Sequence, residues 1–333
     1  MNAFQSEAVT EADALHGLIG YYSATGAAAI RDAARLFHDR GCRRVVFAGM
    51  GSSYSAPFAV LDELIAGGIP ATALTAYKLG QDRAVLVSPE TLVVAISKSG
   101  TTKEVLELVH SLGPDPALIG IVNELDSDLA KRSSVNLPMR AGIETQIASK
   151  SFLCTLAVLN LLSAELTGNL NSDRLSALHS IARWAQAYFD QSAHVHDRLP
   201  ESIKSCTYVD VIATGASLGT AYKSALVLRE VPKVIAGAID CADFAHGWAK
   251  ITRAGYLGIV LAPEYRTQTI EERAVNQILS RGGDVVLITS NSVPINGKVT
   301  VLQHPVLPDS VAPLAQAVIL DAMIGAMANV ALR

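Results

Sequence analysis

Arg44-Val-Val-Phe-Ala48 is a short β-type apolar run that ends in Gly49-Met-Gly51-Ser-Ser53, and a helical pattern follows through Leu64. The same device recurs at Thr91-Leu-Val-Val-Ala-Ile96, which ends in Ser97-Lys-Ser-Gly-Thr-Thr102 and leads into a helix through Val109. Ala117-Leu-Ile-Gly-Ile-Val122 is a third run of this type. Runs apolar on every residue belong to strands covered on both faces. Their alternation with helices, with glycine or hydroxyl residues at the strand ends, predicts a parallel α/β sheet.

Outward from this region, residues 6–40 read as helical and alanine-rich, and a long helical stretch runs from about Ser149 to Ala193. The strand–helix texture then returns. Tyr208-Val-Asp-Val-Ile-Ala-Thr-Gly-Ala-Ser217 leads into a helix through Glu230, and Tyr256–Leu261 and Asp284–Thr289 supply further strands. Laying Gly51-Ser-Ser53 on Gly215-Ala-Ser217 gives an offset of 164 residues, and the same offset lays Leu92 on Tyr256. The chain therefore reads as an internal duplication. We expect an N-terminal helical segment (1–28) and two tandem α/β domains (29–170 and 171–333), each a parallel β-sheet flanked by helices. The copies differ after their second matched strand. The first has the hydroxyl cluster Ser97–Thr102, and the second has Leu261-Ala-Pro-Glu-Tyr-Arg266.

The 333 residues suit about two domains. Half the residues are apolar and 17% are charged, which excludes a disordered chain. A net charge of −4 without any basic run argues against nucleic-acid or anionic-membrane partners. Cys42, Cys154, Cys206 and Cys241 form no CxxC pair and read as reduced thiols of a cytoplasmic protein. The first residues lack the basic start and apolar core of a secretory signal. Val311–Leu332, the most apolar stretch, contains Pro313, Gln316, Asp321 and Asn329 and reads as a buried helix rather than a membrane span.

Ligands of open parallel sheets bind beyond the carboxyl ends of the strands. Ser52 and Ser53 lie at one such end, and Ser97, Ser99, Thr101 and Thr102 lie at another, with Lys98 among them. Both segments also open helices, where unpaired N–H groups favour an anion. A single serine or threonine there is a routine cap. Four hydroxyls within six residues exceed what a cap needs and suit a phosphate. Neither strand end carries GxxxxGK[ST]. Gly49-Met-Gly51-Ser-Ser-Tyr54 has tyrosine where a dinucleotide fingerprint needs its third glycine, and no acidic residue follows at the ribose position. No cofactor is expected. Nor is a metal, since His194-x-His196 is the only close histidine pair and lacks a convincing third ligand.

These residues, together with Ala141-Gly-Ile-Glu144, Ile147-Ala-Ser149, Ala225-Leu-Val-Leu-Arg-Glu230 and Phe244-Ala-His-Gly247, resemble the sugar isomerase (SIS) family of phosphosugar-binding domains. The resemblance runs from about residue 30 to the C-terminus. It is greatest to the tandem-SIS isomerase half of glucosamine-6-phosphate synthases and to related stand-alone phosphosugar isomerases and deaminases. It implies two flavodoxin-like three-layer sandwiches in tandem. It also implies a phosphate site of Ser52, Ser53, Ser97, Lys98, Ser99 and Thr102, with Glu144, Ser149 and Lys150 as possible substrate contacts. Glu230 would be the base moving a proton between C1 and C2. His246 would open the sugar ring, reaching in from the neighbouring subunit of a homodimer whose active site lies at the subunit interface.

The residue types suit that chemistry on their own terms. Aldose–ketose interconversion removes a proton beside a carbonyl and returns it one carbon away, which a carboxylate with a raised pKa can do. Ring opening needs an acid and base near neutrality, the range of histidine. Glu230 follows Ser217 by 13 residues, about 20 Å of helix, so it cannot serve a pocket at Ser217. That agrees with a phosphate site in the first domain. By the resemblance, Val227 stands where lysine is common, Lys223 where glutamate is common, and Trp248 where proline follows His-Gly. The chain begins without a cysteine at position 2 and ends without the family's tail lysine, so glutamine-dependent synthesis is not expected. The leading expectation is an isomerase of a hexose or amino-sugar 6-phosphate. An amino-sugar-phosphate deaminase, a fructosamine-phosphate deglycase and a non-catalytic sugar-phosphate sensor are the alternatives.

Overall fold

A computed structural model describes residues 2–145, 147–197, 199, 206, 208–293 and 299–331. The chain divides into two compact units, one of Asp13–Ala182 and one of Met1–Ala12 with Arg183–Arg333.

The contiguous unit holds strands β1 (Arg44–Gly49), β2 (Ala71–Thr75), β3 (Thr91–Ser97), β4 (Leu118–Val122) and β5 (Val135–Pro138). They form an all-parallel sheet in the order β2-β1-β3-β4-β5, the doubly wound order. Every residue of β3 and β4 is buried, which is why these strands read as unbroken apolar runs. Val46, Val93 and Leu118 from the sheet pack with Val105 and Leu108 of the helix Lys103–Ser111. The helix Lys150–Leu166 buries every residue except Lys150 and Glu165. Asn160, deep in it, accepts a hydrogen bond from Arg174 at 3.0 Å, and Arg174 is also ion-paired with Glu63. The helical stretch beginning at Ser149 is two helices, Lys150–Leu166 and Ser172–Asp197, parted by a turn through Gly168.

The second unit holds β6 (Tyr208–Ala213), β7 (Ile235–Asp240), β8 (Tyr256–Leu261), β9 (Asp284–Thr289) and β10 (Val299–Gln303). Their order, β10-β9-β8-β6-β7, repeats the first sheet's order, and all pairs are again parallel. Gly51 and Gly215, aligned by the 164-residue offset, both turn at positive φ, +54° and +53°. The offset does not hold through the next matched strand. Arg44 pairs with Thr91, but Tyr208 pairs with Tyr256, so the second unit carries one extra residue between these strands. Thr91, not Leu92, is the counterpart of Tyr256.

Lys223 and Asp321 form an ion pair within this unit with both side chains essentially inaccessible, and the Phe4 ring lies 5.9 Å from the ammonium. Asn2 Nδ2 donates to the Gly325 carbonyl at 3.0 Å, fixing the helix Ala3–Ala8 to the helix Ala312–Ala331. Gln316 and Asp321 are buried in that last helix, and among the described residues no helix is long and apolar enough to cross a membrane. The four cysteines are buried and unbridged.

Candidate functional site

In the first sheet β2 lies on one side of β1 and β3 on the other, so the chain order reverses between β1 and β3. A doubly wound sheet opens its ligand crevice at such a reversal, beyond the strand carboxyl ends. Ser52 and Ser53 follow β1 directly, and Ser97–Thr102 close β3 and lead into the helix at Lys103. The serine and threonine clusters thus flank the same reversal.

The hydroxyls at the end of β3 divide into two sets. Ser97 is buried. Its Oγ accepts from Gly100 N at 3.1 Å and lies 2.8 Å from Thr102 Oγ1, so it shapes the turn from beneath. Ser99 is exposed, and its Oγ accepts from Thr101 N at 3.2 Å and Thr101 Oγ1 at 2.9 Å, leaving the Ser99 proton available outward. Ser52 Oγ and Ser53 Oγ, both half-buried, have no hydrogen-bond partner among the described residues. Gly100 carries the turn at φ +64°, and a Cβ there would collide with the Ser127 hydroxyl that caps the next helix. Gly100→Ala is therefore expected to cost at least ~1–2 kcal/mol of stability, measurable by urea titration.

Lys98, Glu144, Ser149 and Lys150 come together beside this turn. Lys98 Nζ lies 3.3 Å from Glu144 Oε2 and donates to the Glu144 carbonyl at 3.3 Å. Glu144 Oε1 accepts from Ser149 N at 2.9 Å, Ser149 Oγ at 3.3 Å and Ser151 N at 3.0 Å, and Ser151 Oγ donates to Oε2. Burial alone would push the Glu144 carboxyl up. The hydrogen bonds from Ser151 and Ser149, with Lys98 beside them, outweigh it and hold the group below its ordinary value. Lys150 Nζ donates to the Ile143 carbonyl at 2.6 Å and so braces the same segment.

Two contributors escape the sequence reading. Asn123 follows β4; its Oδ1 accepts from Ala141 N at 2.8 Å and its Nδ2 donates to the Gly142 carbonyl at 3.1 Å. A polar residue at a strand's carboxyl end is the signal that could have found it. Ser151 is the other, one residue inside the helix that follows Ser149.

Glu230 and His246 lie in the other unit. Glu230 is the last residue of the helix Leu218–Glu230; partial burial raises its carboxyl pKa even though Lys223 and Lys233 pull it down. The residue as a whole is exposed. His246 is exposed on the turn after the helix Cys241–Phe244, in a cleft lined also by Phe244, Ile270, Arg273 and Gln277. No hydrogen bond among the described residues joins Glu230 to His246. Val227 and Lys223 on the Glu230 helix are both buried. The side chains of His194 and His196 lie outside the described residues, and no cluster of three metal-ligating side chains occurs among those described.

Residues 40–164, spanning β1 to β5 and most of the buried helix, match the SIS domain family. The match makes this segment similar to a SIS domain. Over 236 residues it is 26% identical to a glutamine–fructose-6-phosphate aminotransferase (isomerizing) of Rhizobium meliloti, an alignment covering 68% of this chain and 39% of that protein. The chain thus spans under half the length of the curated relatives it matches. Among solved structures, the C-terminal domain of glucosamine-fructose-6-phosphate aminotransferase from Francisella tularensis superposes with a TM-score of 0.86 at 19% identity, covering 99% of this chain and 97% of that one. Glucosamine-6-phosphate deaminase from Thermotoga maritima superposes at 0.76 and 21% identity, covering 98% and 94%. These likenesses extend the shared fold over both units.

Proposed function

We propose that this SIS protein is a phosphosugar isomerase acting on a hexose or amino-sugar 6-phosphate through an enediol or enolamine. The observation that carries the reading is the convergence of two hydroxyl-bearing strand ends on the β1/β3 reversal, inside the segment that matches the SIS family. Ser52, Ser53, Ser99 and Thr102 donate to the phosphate, Ser97 sets the turn, and Lys98 adds charge. Glu230 takes the proton beside the carbonyl and returns it to the neighbouring carbon. Its raised pKa suits a group that must both accept and give a proton. His246 assists ring opening from the neighbouring subunit of a cytoplasmic homodimer. In support, His246 is exposed beside Trp248 and Ile251, which present 52% and 43% of their surface to solvent.

Incubation with fructose 6-phosphate, glucose 6-phosphate and glucosamine 6-phosphate tests the reading, with ketose, aldose and ammonia followed separately. Aldose–ketose interconversion without ammonia is expected. Equal release of ammonia and fructose 6-phosphate from glucosamine 6-phosphate would instead make the protein a deaminase, and binding without turnover would make it a sensor. The phosphate site is tested apart from the chemistry. Ser99→Ala combined with Thr102→Ala is expected to weaken every phosphorylated ligand by about tenfold or more, since a hydrogen bond to a charged group contributes ~1.5–3 kcal/mol. Unchanged affinity in calorimetry would move the phosphate elsewhere.

A further inference from the structure

We propose that Glu144 touches no substrate and is instead a positioning residue that holds the Lys98 ammonium against the hydroxyl turn. The inference rests on the reading of that turn as a phosphate site. A carboxylate offers about four lone-pair sites. Ser149 N, Ser149 Oγ and Ser151 N converge on Glu144 Oε1, Ser151 Oγ and the Lys98 ammonium face Oε2, and the side chain has no exposed surface. A sugar hydroxyl has neither a way in nor an acceptor to meet.

The group is nevertheless ionised, and a buried anion needs a cation. Lys98 is the one ion-pair partner of Glu144 among the described residues. Its ammonium has three N–H donors. One is donated to the Glu144 carbonyl at 3.3 Å, and Oε2 lies 3.3 Å from Nζ as the ion-pair contact. The side chain remains 32% exposed, which leaves the ammonium open to an anion at the turn.

The backbone completes the arrangement. Asn123 N donates to the Lys98 carbonyl at 3.0 Å, while the Asn123 side chain grips Ala141 N and the Gly142 carbonyl. Glu144 is then fixed on one side by Asn123 through Ala141–Gly142 and on the other by the first turn of the helix Lys150–Leu166. Its carboxylate is a rigid anchor for the tip of a flexible four-carbon chain. Removing that anchor releases Lys98 into many rotamers, few of which face the turn.

The test is a double-mutant cycle on the full chain, with inorganic phosphate and glucose 6-phosphate as calorimetric probes. Lys98→Met and Glu144→Gln are each expected to weaken both probes about tenfold, equivalent to ~1.4 kcal/mol. In the Lys98→Met background, Glu144→Gln should add almost nothing, because it acts through Lys98. A role confined to holding the helix start would make the two losses additive, and additive losses overturn the proposal. So does weakening by Lys98→Met with wild-type affinity in Glu144→Gln, and in that case the phosphate site survives. If neither Lys98→Met nor the Ser99/Thr102 double alanine variant changes binding, the phosphate site falls and this inference with it. Should Glu144→Gln fail to fold, Glu144→Asp keeps the charge but draws it back by one methylene. The same non-additivity is expected of it, with circular dichroism confirming the fold.

Discussion

Glu230→Gln is expected to lower turnover of a hexose 6-phosphate by about 10²–10⁴-fold while leaving its dissociation constant within a factor of about two. Glutamine keeps the shape and reach of the side chain but is neutral and cannot take a proton. The pH profile gives a second signature. The base must be ionised to act, and burial lifts the Glu230 pKa above the ordinary 4.5, so activity rises with pH through a midpoint above that value. The acid limb should vanish in Glu230→Gln along with the activity. Retention of most turnover in this variant would remove Glu230 from the mechanism.

Asp321→Ala should be the most damaging single change to the fold. It strips the counter-ion from a Lys223 ammonium that has essentially no access to water. Breaking such a pair by removing one partner costs ~3–5 kcal/mol, whereas replacing both partners by apolar residues of similar size is often neutral or stabilising. We therefore expect a large fall in the urea midpoint for Asp321→Ala and near-wild-type stability for Lys223→Met with Asp321→Leu. Equal destabilisation of the single and the double variants would show that the pair matters for more than its charges. Lys223 also pulls the Glu230 pKa down, so the apolar double replacement should move the acid limb of the activity profile to higher pH.

Legibility in the sequence followed burial. The strands read from continuous apolar runs, β1, β3, β4, β6, β8 and β9, are the interior strands of the two sheets. The four that the runs do not reveal, β2, β5, β7 and β10, are the four edges. An edge strand is covered less completely, and Ala71–Thr75 and Ile235–Asp240 accordingly mix buried and half-exposed residues. Nothing in their sequence separates them from a loop. The hydroxyl turn was legible because strand end, glycine and serine are contiguous. The network around Glu144 was not, since it joins residues 98, 123, 144, 149 and 151, and only folding brings them together. Lys98 illustrates the difference. Its sequence neighbours place it in the hydroxyl turn, while its ammonium is paired with a carboxylate 46 residues away.

The packing of the first twelve residues with Arg183–Arg333 bears on how the protein is made. Asp13–Ala182 is one uninterrupted stretch and can fold as it leaves the ribosome. The other unit cannot close in that order, because the helix Ala3–Ala8 meets its partner helix only when Ala312–Ala331 has been synthesised. At ~5–20 residues per second, the N-terminal segment, Phe4 included, waits on the order of 10 s after the first unit is complete. During that interval the residues that Phe4 and Ala8 will be buried against do not yet exist.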